Sequence, residues 1–229
     1  MTELCHLKGI SCGRCCGLYN FYDYSKEGIS RVLRARNRTA ESTLDNNMLP
    51  LEDRFQSYAQ KLCDSVIWSD VKNPKMAHSS GEPMCDYLAF LDEDEKSVGC
   101  LIHPMRLGDD YRNEALKYVS CWKVLTKDKC RNWNCGVYTP SLTSLVEGEF
   151  KDLFEDWYAC GLMTMGMRSF LIDFGPDIVK ELIGLVDKRL INPTDVAITG
   201  NNMFHLLKSW NTKNMSPRLI RAIERTLTN

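Results

Sequence analysis

The chain has 229 residues, of which 44% are hydrophobic and 26% charged, and its formal net charge is −1. These values are typical of a soluble globular protein with a substantial core, and the balanced charge argues against a nucleic acid or an anionic membrane as partner. No apolar run approaches the roughly 18 residues of a membrane-spanning helix, and the first residues lack the features of a secretory signal. We therefore expect a cytoplasmic protein whose eleven cysteines stay reduced.

The first predicted element is a glycine-punctuated loop over residues 1–18 that holds Cys5, Cys12, Cys15 and Cys16. Glycine lets the backbone turn tightly between the thiols. An aromatic group follows, which we interpret as core and as shielding of the thiols: Tyr19, Phe21, Tyr22 and Tyr24.

Two amphipathic helices are predicted next. Ser25 has the chemistry of an N-cap for a helix over residues 26–40, and Pro50 favours the start of a second helix. The apolar residues at helical spacing are Ile29, Val32, Leu33 and Ala40 in the first helix, and Phe55, Ala59, Leu62 and Val66 in the second.

The first of these helices also carries four arginines: Arg31, Arg34, Arg36 and Arg38. Two interpretations stay open for them. They form a solvated helix face, or they form an anion site near the cysteine loop for a phosphate, a carboxylate or a nucleic-acid backbone.

Residues 87–91 and 98–102 are short apolar segments on either side of an acidic turn, a pattern that predicts a β-hairpin. The hairpin would carry Cys85 and Cys100 to neighbouring positions. Residues 112–125 are predicted to be helical, and a loop follows.

The composition changes near residue 146, and no cysteine follows Cys160. Helices are predicted around Trp157, from Pro176 with an apolar repeat that runs to Leu190, and from Ser216. The sequence thus predicts a mainly α protein with a small β-hairpin. An irregular cysteine-rich metal-binding core would occupy residues 1–145, and a helical C-terminal part would occupy residues 146–229.

The clustered cysteines are the candidate metal ligands, because reduced thiols at short spacing indicate a metal site before they indicate disulfides. Several thiolates repel one another unless a cation is present. The candidate ligands are Cys5, Cys12, Cys15, Cys16, Cys85, Cys100, Cys121, Cys130 and Cys135. Cys63 and Cys160 lie beside apolar helical positions and are interpreted as small buried hydrophobic residues.

Two metal assignments compete. The thiolates hold an iron–sulfur cluster, with the four-iron type favoured, or Cys12 and Cys15 pair with Cys130 and Cys135 in a zinc site. Adjacent side chains normally diverge, so the neighbouring Cys15 and Cys16 favour a polynuclear cluster or two sites over one zinc knuckle.

Three segments together resemble the YkgJ-type cysteine-cluster family. They are Cys12-Gly-Arg-Cys-Cys16, Cys85-Asp-Tyr-Leu88 and Cys100-Leu-Ile-His103, which are similar to the family's C-x2-C-C, C-x2-L and C-x-I-Y patterns. The resemblance covers roughly residues 5–135 and implies zinc or iron chelation. A related group contains flagellin lysine methylases with an iron–sulfur cluster. The chain departs from the pattern at Cys5, at His103, which stands where the family has tyrosine, and after Pro104.

Three functions are consistent with these observations. The first is an iron–sulfur protein that transfers electrons or assists protein modification, with an unidentified protein or redox partner. The second is a zinc-stabilised interaction module without catalysis. The third, which the family resemblance alone suggests, is a methylase-like enzyme that uses S-adenosylmethionine.

Overall fold

The computed structural model describes residues 11, 13, 16–19, 21, 23–64, 85–118, 148, 150–164, 168–193 and 212–228. These parts of the chain are mainly helical and contain a two-stranded antiparallel hairpin, which confirms the predicted fold class.

Helix α1 spans Lys26–Glu41 and begins where the sequence predicted. The Ser25 hydroxyl accepts a hydrogen bond of 3.0 Å from the backbone N–H of Gly28 and thereby caps the helix. The preceding loop passes so close that a Cβ on Gly28 would lie 2.3 Å from the Asp23 carbonyl oxygen. The helix packs its apolar side along the hairpin.

Helix α2 spans Leu51–Asp64 and begins directly after Pro50, as predicted. Phe55 and Leu62 are buried, as the spacing indicated, and Tyr58 is buried as well. Ala59 is only half-buried, because Tyr58 takes the position that faces the core. Val66 lies outside the described residues.

Strands β1, Leu88–Phe90, and β2, Val98–Cys100, form the predicted hairpin. Leu88 lies opposite Cys100, and Phe90 lies opposite Val98. All of β1 is buried, because α1 packs along it.

Two short helices follow the hairpin: α3, Pro104–Leu107, and α4, Arg112–Ala115, which continues as a 3-10 turn over Leu116–Tyr118. The predicted helix over residues 112–125 is thus found in its first part, and its remainder lies outside the described residues. Both α4 and the 3-10 turn pack against α2.

The C-terminal part contains α5, Lys151–Glu155; α6, Trp157–Leu162; α7, Arg168–Phe174; α8, Pro176–Asp187; a 3-10 turn, Thr212–Asn214; and α9, Pro217–Thr228. Pro176 is the first residue of α8, and the Ser216 hydroxyl caps α9, as predicted. Leu190 was predicted to continue the apolar side of α8, and this is wrong. The helix ends at Asp187, Arg189 takes a left-handed φ of 58°, and Leu190 is 42% exposed.

One hydrophobic core contains residues from both predicted parts of the chain. Phe90 of the hairpin packs edge-on against Trp157, with ring centroids 5.6 Å apart. The Tyr19 hydroxyl donates to the Tyr158 carbonyl, and the Tyr158 hydroxyl donates to the Tyr24 carbonyl at 2.8 Å. The predicted boundary near residue 145 itself lies outside the described residues.

Within the described ranges, no helix combines the length and the apolar character that crossing a membrane requires.

Candidate metal centre

Cys16 and Cys85, which belong to two different cysteine motifs, lie in contact. The backbone N–H of Cys85 donates to the carbonyl oxygen of Cys16 at 2.8 Å. Their side chains are also hydrogen-bonded to each other. Cys85 is buried, whereas Cys16 is half-buried at the edge of the core. The fold thus places two of the predicted ligands side by side.

The surroundings of Cys85 favour its thiolate form. The hydrogen bond with Cys16 is the largest cause that lowers the pKa of Cys85, and it outweighs burial, which raises it. The Asp86 carboxylate opposes this shift of the pKa and the Arg36 guanidinium supports it. Because thiolate is the form that ligates a metal, the lowered pKa makes Cys85 a better ligand than an ordinary buried cysteine.

Glycine lets the cysteine loop lie directly on the hairpin. Gly13 has a left-handed φ of 54°, and a Cβ on it would lie 3.3 Å from Val98 Cγ1 and 3.4 Å from Leu88 Cδ1. The Gly13 carbonyl accepts a hydrogen bond of 3.0 Å from the backbone N–H of Cys16. The Ser11 hydroxyl accepts another, of 2.8 Å, from the backbone N–H of Val98. These contacts fix the position of Cys16 relative to the hairpin.

Cys100 lies at the end of β2, opposite Leu88 rather than opposite Cys85. Directly paired residues point to the same face of a sheet, so Cys100 is on the face of the hairpin where Leu88 meets Gly13. Its thiol is half-buried. Among the described residues, no three His, Cys, Asp or Glu side chains form a group that can hold a metal ion. Cys100 therefore does not complete a three-ligand set with Cys16 and Cys85.

The other predicted ligands lie outside the described residues; they are Cys5, Cys12, Cys15, Cys121, Cys130 and Cys135. Of the two cysteines predicted to be buried packing residues, Cys160 is fully buried in α6, as expected. Cys63 is only half-buried in α2, so that part of the prediction is wrong.

Arg36 supports the Cys85 segment from the side of α1. Its Nη1 donates to the carbonyl oxygens of Cys85, at 2.5 Å, and of Leu88, at 3.2 Å. Its Nη2 lies 3.5 Å from Asp86 Oδ1, and the two side chains are only 4% and 6% exposed. The burial of Arg36 shows that, for this arginine, the interpretation as part of a solvated helix face is wrong. The signal was present in the sequence, because Arg36 falls at helical spacing between Val32 and Ala40 on the apolar side of α1.

Two stacked tyrosines complete the support of this segment. The Tyr58 hydroxyl donates to the Asp86 carbonyl at 2.8 Å, and the Tyr87 hydroxyl donates to the Ala115 carbonyl at 2.9 Å. Their rings are stacked, with centroids 5.2 Å apart. Burial raises the pKa of both phenols well above the ordinary value, so both remain neutral donors.

The neighbouring arginines of α1 also pair with carboxylates. Arg31 lies 3.2 Å from Asp23, and Arg34 binds Glu27 at 3.0 Å and Glu95 at 2.6 Å. Glu95 is in the hairpin turn, so Arg34 ties α1 to the tip of the hairpin. These pairings favour a structural role for Arg31 and Arg34 over an anion site.

Comparison with known proteins gives no match to a protein-family model, to a curated protein or to a solved structure.

Proposed function

We propose that the chain is a cysteine-ligated metal-binding protein, with an iron–sulfur cluster favoured, that transfers electrons or assists protein modification. The contact between Cys16 and Cys85 carries this proposal. In this proposal the protein acts in the cytoplasm, where its thiols stay reduced, and it works with a protein or redox partner.

The chemistry of the pair supports a cation between the two thiols. In the metal-free chain the two sulfurs share a hydrogen bond, and a bound metal would take the place of that proton by deprotonating both thiols and forming two metal–sulfur bonds. Cys12 and Cys15 belong to the same sequence motif as Cys16 and are the nearest further candidate ligands in the sequence. Four cysteines satisfy the usual ligand number of both an iron–sulfur cluster and a structural zinc ion.

A zinc-stabilised interaction module is the second candidate. It is favoured by the structural character of the surroundings of Cys85, where Arg36, Tyr58 and Tyr87 are all hydrogen-bonded to backbone carbonyls. A zinc ion in such a place would join the N-terminal loop to the hairpin and stabilise the fold without any chemistry.

The test is anaerobic purification followed by absorption spectroscopy and by analysis of zinc, iron and acid-labile sulfide. We expect a brown protein with iron and sulfide, because iron–sulfide charge transfer absorbs visible light. Stoichiometric zinc in a colourless protein would select the second candidate, and a folded protein that binds neither metal would refute both.

Variants of single cysteines test which residues hold the metal. Cys16→Ser and Cys85→Ser should both lose metal, because each removes one of the two thiols in contact. Cys160→Ala is the matched control, since Cys160 is fully buried in α6 and belongs to neither cysteine motif; this variant should keep the full metal content. Equal metal loss in all three variants would show that general destabilisation, and not ligand removal, is responsible.

A further inference from the structure

The backbone of Cys85 is held from both sides. Its N–H donates to the Cys16 carbonyl, and its carbonyl accepts from both the Leu88 N–H, at 3.1 Å, and Arg36 Nη1, at 2.5 Å. Arg36 reaches the carbonyls at the two ends of the tight turn that runs from Cys85 to Leu88. One guanidinium therefore fixes the turn that carries the Cys85 thiol.

We propose that Arg36 is the positioning residue of the metal centre, because its buried guanidinium sets the direction in which Cys85 presents its sulfur to the metal. This inference rests on the proposed metal-binding function and adds to it a residue that no cysteine motif contains. Arg36 acts through the backbone of the ligand and does not touch the metal.

Orientation, rather than charge, is the larger part of this role. Asp86 lies beside Arg36 and balances its positive charge, so the pair adds little net charge to the thiols. The planar guanidinium presents several donors in a rigid fork, which a lysine ammonium cannot reproduce. A lysine at this position would keep the charge but could not hold both carbonyls and the carboxylate in the same geometry.

Tyr58 adds a second fixed point on the same turn. Its hydroxyl donates to the carbonyl of Asp86, between the two carbonyls that Arg36 holds. The hydrogen bonds to the carbonyls of Cys85, Asp86 and Leu88 together restrict the backbone of the turn. Partners beyond the direct ligands orient a metal's ligands in the same way, and their loss commonly weakens metal binding by about 10- to 100-fold.

The experiment uses three variants of the full-length reduced chain: Arg36→Lys, Arg36→Met, and a double variant that combines Arg36→Met and Asp86→Asn. Co²⁺ is the probe, because bound thiolates give it a charge-transfer band that reports the geometry of the site. Affinity is measured by competition with a chelator. We expect each variant to bind Co²⁺ about 10- to 100-fold more weakly than the wild type. The charge-transfer band should also shift or weaken at saturation.

Ile29→Val is the matched control for lost stability. Ile29 is fully buried on the same helix and has no polar side-chain atom, so the variant weakens the core without removing a hydrogen bond to the Cys85 turn. It should keep the affinity and the band of the wild type. If Arg36→Met does not fold, Arg36→Lys and a single Asp86→Asn variant, followed by circular dichroism, decide the question.

Folded Arg36 variants that bind Co²⁺ with the wild-type affinity and band would overturn this inference and leave the proposed function standing. Variants that lose affinity only as much as Ile29→Val would also overturn it, because a purely structural role then suffices. A wild-type protein that binds no Co²⁺ and copurifies with no metal would overturn both proposals.

Discussion

Replacing Gly13 with alanine tests how closely the cysteine loop must lie on the hairpin. The left-handed φ of 54° costs an alanine about 1–2 kcal/mol. The new Cβ would also lie 3.3 Å from Val98 Cγ1, closer than the roughly 3.5–4.0 Å of a comfortable carbon–carbon contact. Val98 and Leu88 are 1% and 0% exposed and cannot swing into solvent, so we add about 1–3 kcal/mol for overpacking.

Gly108→Ala is the matched control, because Gly108 also has a left-handed φ, of 80°, but a Cβ there would meet nothing within 4 Å. It should lose only the roughly 1–2 kcal/mol of backbone strain. Urea unfolding followed by circular dichroism measures both variants. If the proposed metal site exists, Gly13→Ala should also weaken metal binding, because the Gly13 carbonyl accepts a hydrogen bond from the N–H of Cys16. Equal losses of stability in the two variants, with unchanged metal affinity, would refute the reasoning.

Two further predictions concern α1 and its surroundings. Gly28→Ala should lower the free energy of unfolding by about 1–3 kcal/mol, because its Cβ would lie 2.3 Å from the Asp23 carbonyl oxygen. Gly184 in α8 has open space around it, so Gly184→Ala should raise the free energy of unfolding by about 0.4–1 kcal/mol. Urea midpoints of the two variants that move in the same direction would contradict this. The hydrogen bond from Arg34 holds the pKa of Glu95 below the ordinary value of 4.5. The contribution of this pair to the free energy of unfolding is therefore complete above that pH and is lost as the pH falls through the lower pKa of the folded state. The side chains of Arg34 and Glu95 are about one-third exposed, so Arg34→Gln should be less stable than the wild type by no more than about 1 kcal/mol above pH 4.5. The stabilities of the variant and the wild type should converge in acid. A difference in urea midpoint that stays constant across this pH range would contradict the role given to the Arg34–Glu95 pair.

Local signals in the sequence were sufficient to place most of the described helices. Ser25 and Pro176 mark helix starts because a cap or a missing N–H acts within one turn of the chain, whatever the rest of the fold does. The hairpin could also be predicted from the sequence, since two short apolar segments flank one polar turn. Leu190 was wrongly predicted to continue α8 because the residue that takes the left-handed conformation after the helix is Arg189, and not the glycine or asparagine that usually indicates such an end.

The candidate site depended on contacts between distant segments, and the sequence could not provide these in full. The motifs named Cys16 and Cys85 as ligands, but not their contact through a backbone hydrogen bond. The role of Arg36 depends on the hairpin that packs over it, because an arginine on the apolar side of a helix is buried only if carbonyls and a carboxylate arrive to meet it. The register that places Cys100 opposite Leu88 is likewise set by the turn and not by the cysteine spacing.

The hydrogen bonds between Tyr19, Tyr24 and Tyr158 have a consequence for biosynthesis. The cysteine loop leaves the ribosome early, but Tyr158 in α6 and Asp187 in α8, which accepts the Lys26 N–H at 2.6 Å, are translated much later. Such contacts between distant parts of the chain close only after synthesis has passed the C-terminal helices. Until these contacts close, the cysteine loop lacks the hydrogen bonds that hold it in the folded protein, so the fold does not yet protect its thiols from oxidation.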